Sequence, residues 1–247
     1  MKVVILAGGL GTRLSEFTKT IPKPMVKIGR HPILIHIINH YANYGERDFY
    51  IAVGYKSQII KKYFKRYRKD GFSFKTKIFG KICNVTIEGT GKNSFTGGRL
   101  KRMSKFLKHD EHFMFTYGDG LCDVNIKQLK QFHLKNNKLV TVTSVRPPAR
   151  FGEIILKNNV VTSFKEKPQV TNGWINGGFF VAKSNFLKTI KNDASILEKQ
   201  PLEKASKNKQ LIAFKHSGFW KCMDVKRDRD ELQKIYRLNS FNWKIKI

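Results

Sequence analysis

A chain of 247 residues with 40% hydrophobic side chains is long enough for one substantial α/β domain and is not a disordered polypeptide. Its formal charge is +30, from 48 Lys and Arg against 18 Asp and Glu, which favours anionic partners such as nucleic acid, acidic membrane or phosphorylated metabolites. No apolar run is long enough to span a bilayer, and the run after Lys2 ends at Gly8, too short for a secretory h-region.

Three cysteines, Cys83, Cys122 and Cys222, stand far apart with no CxxC pair. They suggest a reducing cytoplasm, no disulfide framework and a role as buried small hydrophobes. The stretch KKYFKRYRK is densely basic, but the chain lacks helix-turn-helix, zinc-finger and RNP patterns. Nucleic acid is therefore not the expected partner, and no membrane association is expected.

In chain order, VVILAGG reads as a buried parallel strand, because its apolar residues are continuous rather than alternating. HPILIHIINHYANYG predicts a helix, with Pro32 near its first turn and Gly45 beyond its end. DFYIAVGY is a second strand, and KSQIIKKYFKRY carries apolar residues at helical spacing. NVTIEGTG is a third strand, GGRLKRMSKFL a helix, and HFMFTYGDG a fourth strand with an acidic end. NIKQLKQFHLKNN is a helix and LVTVTSV a fifth strand. Strands alternating with helices predict a mostly parallel central sheet covered on both faces, a Rossmann-like α/β fold.

From Pro147 the pattern changes. FGEIILKNNVVTSFKEKP predicts two short strands joined at Asn158–Asn159, and WINGGFFVAK another strand. A helix is expected from about Ser184, another over LEKASKNKQ, an extended LIAFKH and a closing helix over VKRDRDELQKIYRLN. This half is expected to add a small β-rich wall to a cleft. The whole of 1–247 is read as one domain in two parts, 1–145 and 146–247.

The stretch LAGGLGTRL places a bare loop directly after the buried strand. Without side chains, the backbone N–H groups can approach an anion closely. Arg13 adds a planar, permanently charged fork suited to phosphate oxygens. The loop is neither GxxxxGK[ST] nor GxGxxG, so it fits neither the P-loop nor the dinucleotide fingerprint. It reads as a phosphate cradle or, on its own, as a tight strand-to-helix connection.

LAGGLGTRL followed by PKPMVKIG resembles the signature of the sugar-phosphate nucleotidyltransferases. YGDG at 117–120, FKEKP at 164–168, INGGFF at 175–180 and WKCMDV at 220–225 follow in that family's order. The likeness covers nearly the whole chain. Within the family, TGGRLKR, FTYGDG, RFG and GFW are most similar to the cytidylyltransferases that act on glucose 1-phosphate. One departure is the segment from Gly71 to Val85, shorter than the corresponding insertion there, which bears on quaternary contacts.

The resemblance implies joining CTP to glucose 1-phosphate with release of pyrophosphate, in nucleotide-sugar synthesis for surface polysaccharide such as O-antigen. It also implies Mg²⁺ as cofactor and a homo-oligomer. Both reactants are anions, so charge neutralisation and alignment are the main problems, and an already ionised phosphate needs no general base.

The implied nucleotide site runs through Leu6, Ala7, Gly8, Gly9, Leu10, Gly11, Thr12 and Arg13, with Lys23, Ser94, Arg99 and Gly118. Arg13, Lys23 and Asp119 are the implied catalytic set, and Asp119 with Asp224 the implied metal ligands. Gly152, Glu166, Lys167 and Asn176 are the implied sugar-phosphate contacts. Several keep a plainer alternative: Lys23 as a surface lysine, Arg99 as a helix-surface charge, Asp119 as a turn former, Asp224 as the N-cap of the last helix, and Glu166–Lys167 as a strand-end pair. His36 and His40 have the i, i+4 spacing of a zinc pair but no third ligand, and are expected to be helix residues. His109 and His112 are expected in a solvated turn. Another nucleoside triphosphate (UTP, dTTP), another phosphorylated acceptor, or a non-catalytic or RNA-associated homologue remain the competing readings.

Overall fold

The structure is a computed structural model and describes residues 1–65, 71, 73–147, 153–165 and 173–238. In chain order it forms β1 (Val3–Ala7), α1 (Ser15–Thr18), the two-residue strands β2 (Lys27–Ile28) and β3 (His31–Pro32), α2 (Ile33–Asn43), β4 (Asp48–Val53) and α3 (Ser57–Tyr63). Next come β5 (Ser73–Ile78), β6 (Lys81–Gly89), α4 (Thr96–Arg102), β7 (His112–Tyr117), β8 (Gly120–Cys122), α5 (Ile126–Asn136) and β9 (Val140–Val145). The remainder is β10 (Glu153–Lys157), β11 (Val160–Lys165), β12 (Ile175–Lys183), α6 (Gln200–Lys207), β13 (Leu211–His216), β14 (Trp220–Cys222) and α7 (Lys226–Arg237).

Eight strands make one sheet in the order β13-β9-β12-β7-β1-β4-β6-β5. The pairs β1–β4, β1–β7, β4–β6 and β9–β13 are parallel, whereas β12 runs antiparallel to both β7 and β9, and β5 antiparallel to β6. The mostly parallel α/β architecture is the expected one. β1 lies inside the sheet with all five residues buried, as its unbroken apolar run requires.

Its side chains alternate between two cores. Val3, Ile5 and Ala7 pack with Ile33, Ile37 and Ile38 of α2, Leu129 of α5 and Leu232 of α7. Val4 and Leu6 pack on the opposite face with Leu100 of α4, the stacked Phe115 and Phe180, and Leu202 of α6.

The later half, expected to add a β-rich wall to a cleft within the same domain, contributes strands to the main sheet. β12 is inserted between β7 and β9, and β13 forms the far edge, so this half completes the main sheet. Among the described residues of this half, β14 and the β10–β11 hairpin stand outside that sheet, and the hairpin turns at Asn158 with φ 54°. Three further elements were not foreseen. β5 pairs with β6 through a tight turn at Phe79–Gly80, and β8 pairs with β14, too short to show periodicity. The segment from Ser184 is a 3-10 turn, Ser184–Thr189, rather than an α-helix. The second predicted helix, expected over KSQIIKKYFKRY, runs from Ser57 to Tyr63 and stops with Phe64 as its C-cap and Lys65 at φ 52°; the last two residues of the expected span lie outside the described residues.

His36 and His40 are buried helix residues, as expected, and burial pushes each down to about 4. His112 is not in a solvated turn. It begins β7, and its Nδ1 lies 3.1 Å from Nε2 of His133, whose Nδ1 meets Thr141 Oγ1 at 2.8 Å.

Candidate active site

The C-terminal ends of β1 and β7 are neighbours in the sheet, so the loops that leave them share one end of the molecule. A cavity of about 680 Å³ opens there. Its lining includes Leu6, Ala7, Gly8, Gly9, Leu10, Gly11, Thr12, Arg13, Lys23, Ser94, Arg99, Gly118 and Asp119. Every residue of the sequence-derived nucleotide set therefore faces one space, although four separated segments supply them.

The glycines of the first loop serve different ends. A Cβ on Gly8 would lie 2.2 Å from the Arg99 guanidinium, so Gly8 lets the loop rest on that side chain. Gly11 has φ 66°, and its carbonyl accepts from Thr18 Oγ1 at 2.9 Å. Gly9 has no protein atom within 4 Å of where its Cβ would be, and the open space beside it belongs to the cavity.

Arg99 is not a helix-surface charge. It is buried, and its guanidinium donates to Thr90 Oγ1 at 2.9 Å, to the Gly91 carbonyl at 2.7 Å and to the Lys92 carbonyl at 3.2 Å. It joins the β1 loop to the loop after β6 while lining the cavity. The glycine pair in TGGR has a packing reason. Cβ atoms on Gly97 and Gly98 would meet Ser195 O at 2.7 Å and Asp193 Cα at 2.4 Å, so α4 approaches that loop along a face without side chains.

The acidic pair is assembled by the β8–β14 ribbon. Antiparallel pairing sets Cys222 opposite Gly120, so Asp119 before β8 and Asp224 after β14 leave the same end of the ribbon. The backbone N–H of Met223 donates to the Asp119 carbonyl at 2.9 Å and fixes this register.

Lys23 Nζ lies between the two carboxylates, 2.6 Å from Asp119 Oδ2 and 2.8 Å from Asp224 Oδ1. Arg13 reaches Asp224 Oδ2 at 3.1 Å while remaining 70% exposed. Burial works to lower the Lys23 pKa, but the charge and hydrogen bond of Asp119 outweigh it and raise the ammonium above its ordinary range. For Asp224, burial works upward, and the hydrogen bond and charge of Lys23 together with Arg13 bring the net shift down. Lys23 is thus no surface lysine. Nor does the Asp224 carboxylate cap α7: the Asp228 carboxylate accepts from the backbone N–H groups of Asp224 and Val225.

Two close carboxylates whose gap holds an ammonium suit a hard divalent cation. Cys222 departs from the reading of it as a plain buried hydrophobe. Its Sγ and carboxylate oxygens of Asp119 and Asp224 all lie within 4.8 Å of one another. Burial, then the two carboxylate charges, raise the thiol and keep it protonated. Its place two residues before Asp224 in WKCMDV was the available signal.

Asn176 does not line the cavity. Its Nδ2 lies 3.3 Å from the hydroxyl of Tyr117, which does, and its Oδ1 accepts from the Gly178 N–H at 2.8 Å. Gly152, Glu166 and Lys167 lie outside the described residues. Lys92, Asn93, Phe95 and Thr96 also line the cavity, in the stretch GTGKNSFTGGR where the sequence reading expected the nucleotide base, and Pro24 and Tyr117 are lining residues that it missed. The signal for Phe95 was an aromatic set between polar neighbours, and here it is 53% exposed beside the cavity.

A family model described as nucleotidyl transferase matches residues 2–224. A Salmonella typhimurium (strain LT2) protein named glucose-1-phosphate cytidylyltransferase is 44% identical, with 99% of each chain covered. A Bacillus subtilis protein named probable glucose-1-phosphate cytidylyltransferase is 34% identical over 99% of this chain and 100% of that one. A Saccharomyces cerevisiae mannose-1-phosphate guanyltransferase is 32% identical over 97% of this chain and 65% of its own length.

Among solved structures, HddC from Yersinia pseudotuberculosis superposes with a TM-score of 0.72 at 24% identity, covering 95% of this chain and 99% of that one. A UDP-glucose pyrophosphorylase complexed with UDP-glucose gives 0.71 at 18% identity, covering 96% and 98%. These structural likenesses concern the fold. The matched span of the family model starts in β1 and stops at Asp224, so it takes in both sides of the cavity, and the chain belongs to the nucleotidyl transferase family.

Proposed function

We propose that the protein transfers a cytidylyl group from CTP to α-D-glucose 1-phosphate, giving CDP-glucose and pyrophosphate. The observation that carries this reading is the convergence of a bare glycine loop, Arg13, Lys23 and Asp119 on one cavity, with Asp224 held beside them by its ion pairs with Lys23 and Arg13. The choice of base and sugar is supported by the 44% identity to the Salmonella protein named for that reaction.

An oxygen of the sugar phosphate attacks the α-phosphorus, and the bond to the bridging oxygen breaks, leaving its electron pair on pyrophosphate. The backbone N–H groups around Gly8, Gly9, Gly11 and Thr12 hold the triphosphate, and Arg13 meets the charge growing on the leaving group. Lys23, stiffened between Pro22 and Pro24, turns from the carboxylates toward the reacting phosphates. Asp119 and Asp224 would hold Mg²⁺, which when bound supplies charge neutralisation at the α-phosphate. Ser94 and Arg99 edge the nucleotide. Gly152, Glu166, Lys167 and Asn176 hold the sugar phosphate, so that 1–145 mainly serves the nucleotide and 146–247 mainly the sugar.

The same reading places the enzyme in the cytoplasm as a homo-oligomer that feeds surface polysaccharide such as O-antigen. Among the described residues no helix is long and apolar enough to cross a membrane.

The yeast guanyltransferase relative keeps base choice open to test. Pyrophosphate release is to be measured with each of four nucleoside triphosphates against a panel of sugar 1-phosphates. CTP with glucose 1-phosphate is expected to give the highest kcat/KM. A preference of about tenfold for UTP or dTTP, some 1.4 kcal/mol in the transition state, overturns the assignment.

A further inference from the structure

The β8–β14 ribbon carries a second cluster at the end away from Asp119 and Asp224. Cys122 closes β8, Asp123 follows it, and His216 closes β13. Cys122 Sγ, a carboxylate oxygen of Asp123 and a ring nitrogen of His216 all lie within 4.8 Å of one another. His216 Nε2 stands 2.8 Å from Asp123 Oδ1, but its hydrogen bond is directed to the Phe219 carbonyl at 3.3 Å. Asp123 Oδ1 is buried and accepts no hydrogen bond. A buried carboxylate oxygen ordinarily has a donor.

Room is kept at this point. A Cβ on Gly218 would fall 2.5 Å from Asp123 Oδ1 and 2.7 Å from His216 Cε1.

We propose that Cys122, Asp123 and His216 form a binding site for a divalent cation of the zinc type. The donor chemistry selects the ion: thiolate and imidazole favour zinc over magnesium, whereas the Asp119–Asp224 pair offers hard oxygens. Binding breaks the Cys122 S–H bond and forms a sulfur–metal bond, and the proton leaves to solvent without any change of redox state. The ion ties the end of β13 to the ribbon whose other end presents both active-site carboxylates. Its effect is therefore to stiffen the platform under the reaction.

The test is to strip the full chain with a chelator and titrate it with Co²⁺. One equivalent is expected to give a thiolate-to-cobalt charge-transfer band, which Zn²⁺ then displaces. Cys122→Ser should abolish the band, and Cys222→Ser, beside the other carboxylates, should retain it. His216→Gln should weaken binding at least about tenfold. Should Cys122→Ser not fold, melting decides: Zn²⁺ raises the Tm of the wild-type chain and leaves that of His216→Gln unchanged. Absence of a band at equimolar Co²⁺, or a band that follows Cys222, overturns the site and leaves an Asp123–His216 ion pair beside a thiol.

Discussion

Arg13 is the residue whose position speaks most directly to the chemistry. It is largely exposed and shares Asp224 with Lys23, so it is already aimed at the acidic pair. Arg13→Lys keeps the charge and loses the planar fork. Because charge develops on the leaving pyrophosphate, kcat is expected to fall roughly ten- to a thousandfold, or about 1.4 to 4 kcal/mol. The KM for glucose 1-phosphate should change little. Steady-state kinetics with a circular dichroism control decide it, and a normal kcat with a raised sugar-phosphate KM moves Arg13 to the other substrate. Asp119→Asn should lower kcat/KM by about a hundredfold or more, on the order of 3 kcal/mol, and flatten the Mg²⁺ dependence. A near-normal rate removes that carboxylate from the mechanism. Gly9 gives a cleaner separation. Nothing in the protein opposes a Cβ there, so Gly9→Ala should shift stability by no more than about 0.5 kcal/mol. The KM for CTP should nonetheless rise severalfold, because that space is the ligand's. An unchanged KM with unchanged melting would show that the triphosphate does not approach this part of the loop.

At the scale of elements, α4 and the loop at residues 193–195 form one joint. Gly97 and Gly98 donate their backbone N–H groups to the Ser195 carbonyl at 2.9 and 3.2 Å, and their bare faces allow that approach. Arg99 projects from the same helix to support the glycine loop. Gly98→Ala forces a Cβ into the Asp193 backbone. It is expected to cost about 1–3 kcal/mol by overpacking, despite alanine's better helix propensity, read as a lower urea midpoint. Activity should suffer with it, since Arg99 moves with α4. A variant as stable as the parent shows that this joint yields freely. The β8–β14 ribbon is the second decisive element: its register alone makes neighbours of Asp119 and Asp224.

At the scale of the whole molecule, three buried imidazoles link stability to pH. His36, His40 and His133 are each pushed down from the ordinary 6.5 to about 4, chiefly by burial, and for His133 also by His112 and Lys183. The native state therefore binds fewer protons than the unfolded chain between these values. Stability is full above about pH 6.5 and is lost as pH falls toward 4, by on the order of 1–2 kcal/mol for each imidazole near pH 5. The urea midpoint should drop steadily from pH 7 to pH 5. His133→Gln, keeping a polar group beside Thr141, should make that slope shallower. A midpoint that does not move over this range contradicts the burial of these rings as neutral groups.

Much of the chemistry was legible in the sequence because it is written in contiguous stretches. An unbroken apolar run can only be a strand buried on both faces, and three glycines before an arginine leave a bare backbone beside a cation. The alternation of strand and helix patterns then gave the mostly parallel sheet. What needed the tertiary structure was everything that depends on register between distant segments. β12 reads as a strand in isolation, but only its insertion between β7 and β9 shows that the later half completes the sheet. The roles open to Lys23, Arg99 and Asp224 were undecidable from residue type, since a lysine or aspartate is the same letter on a surface and in a site. Their partners removed the plainer alternatives: carboxylates on either side of Lys23, backbone carbonyls around Arg99, and Asp228 taking the capping role from Asp224. Cys122, Asp123 and His216 share no motif, and they meet because the end of β13 reaches the end of β8, a three-residue strand too short to leave a period in the sequence.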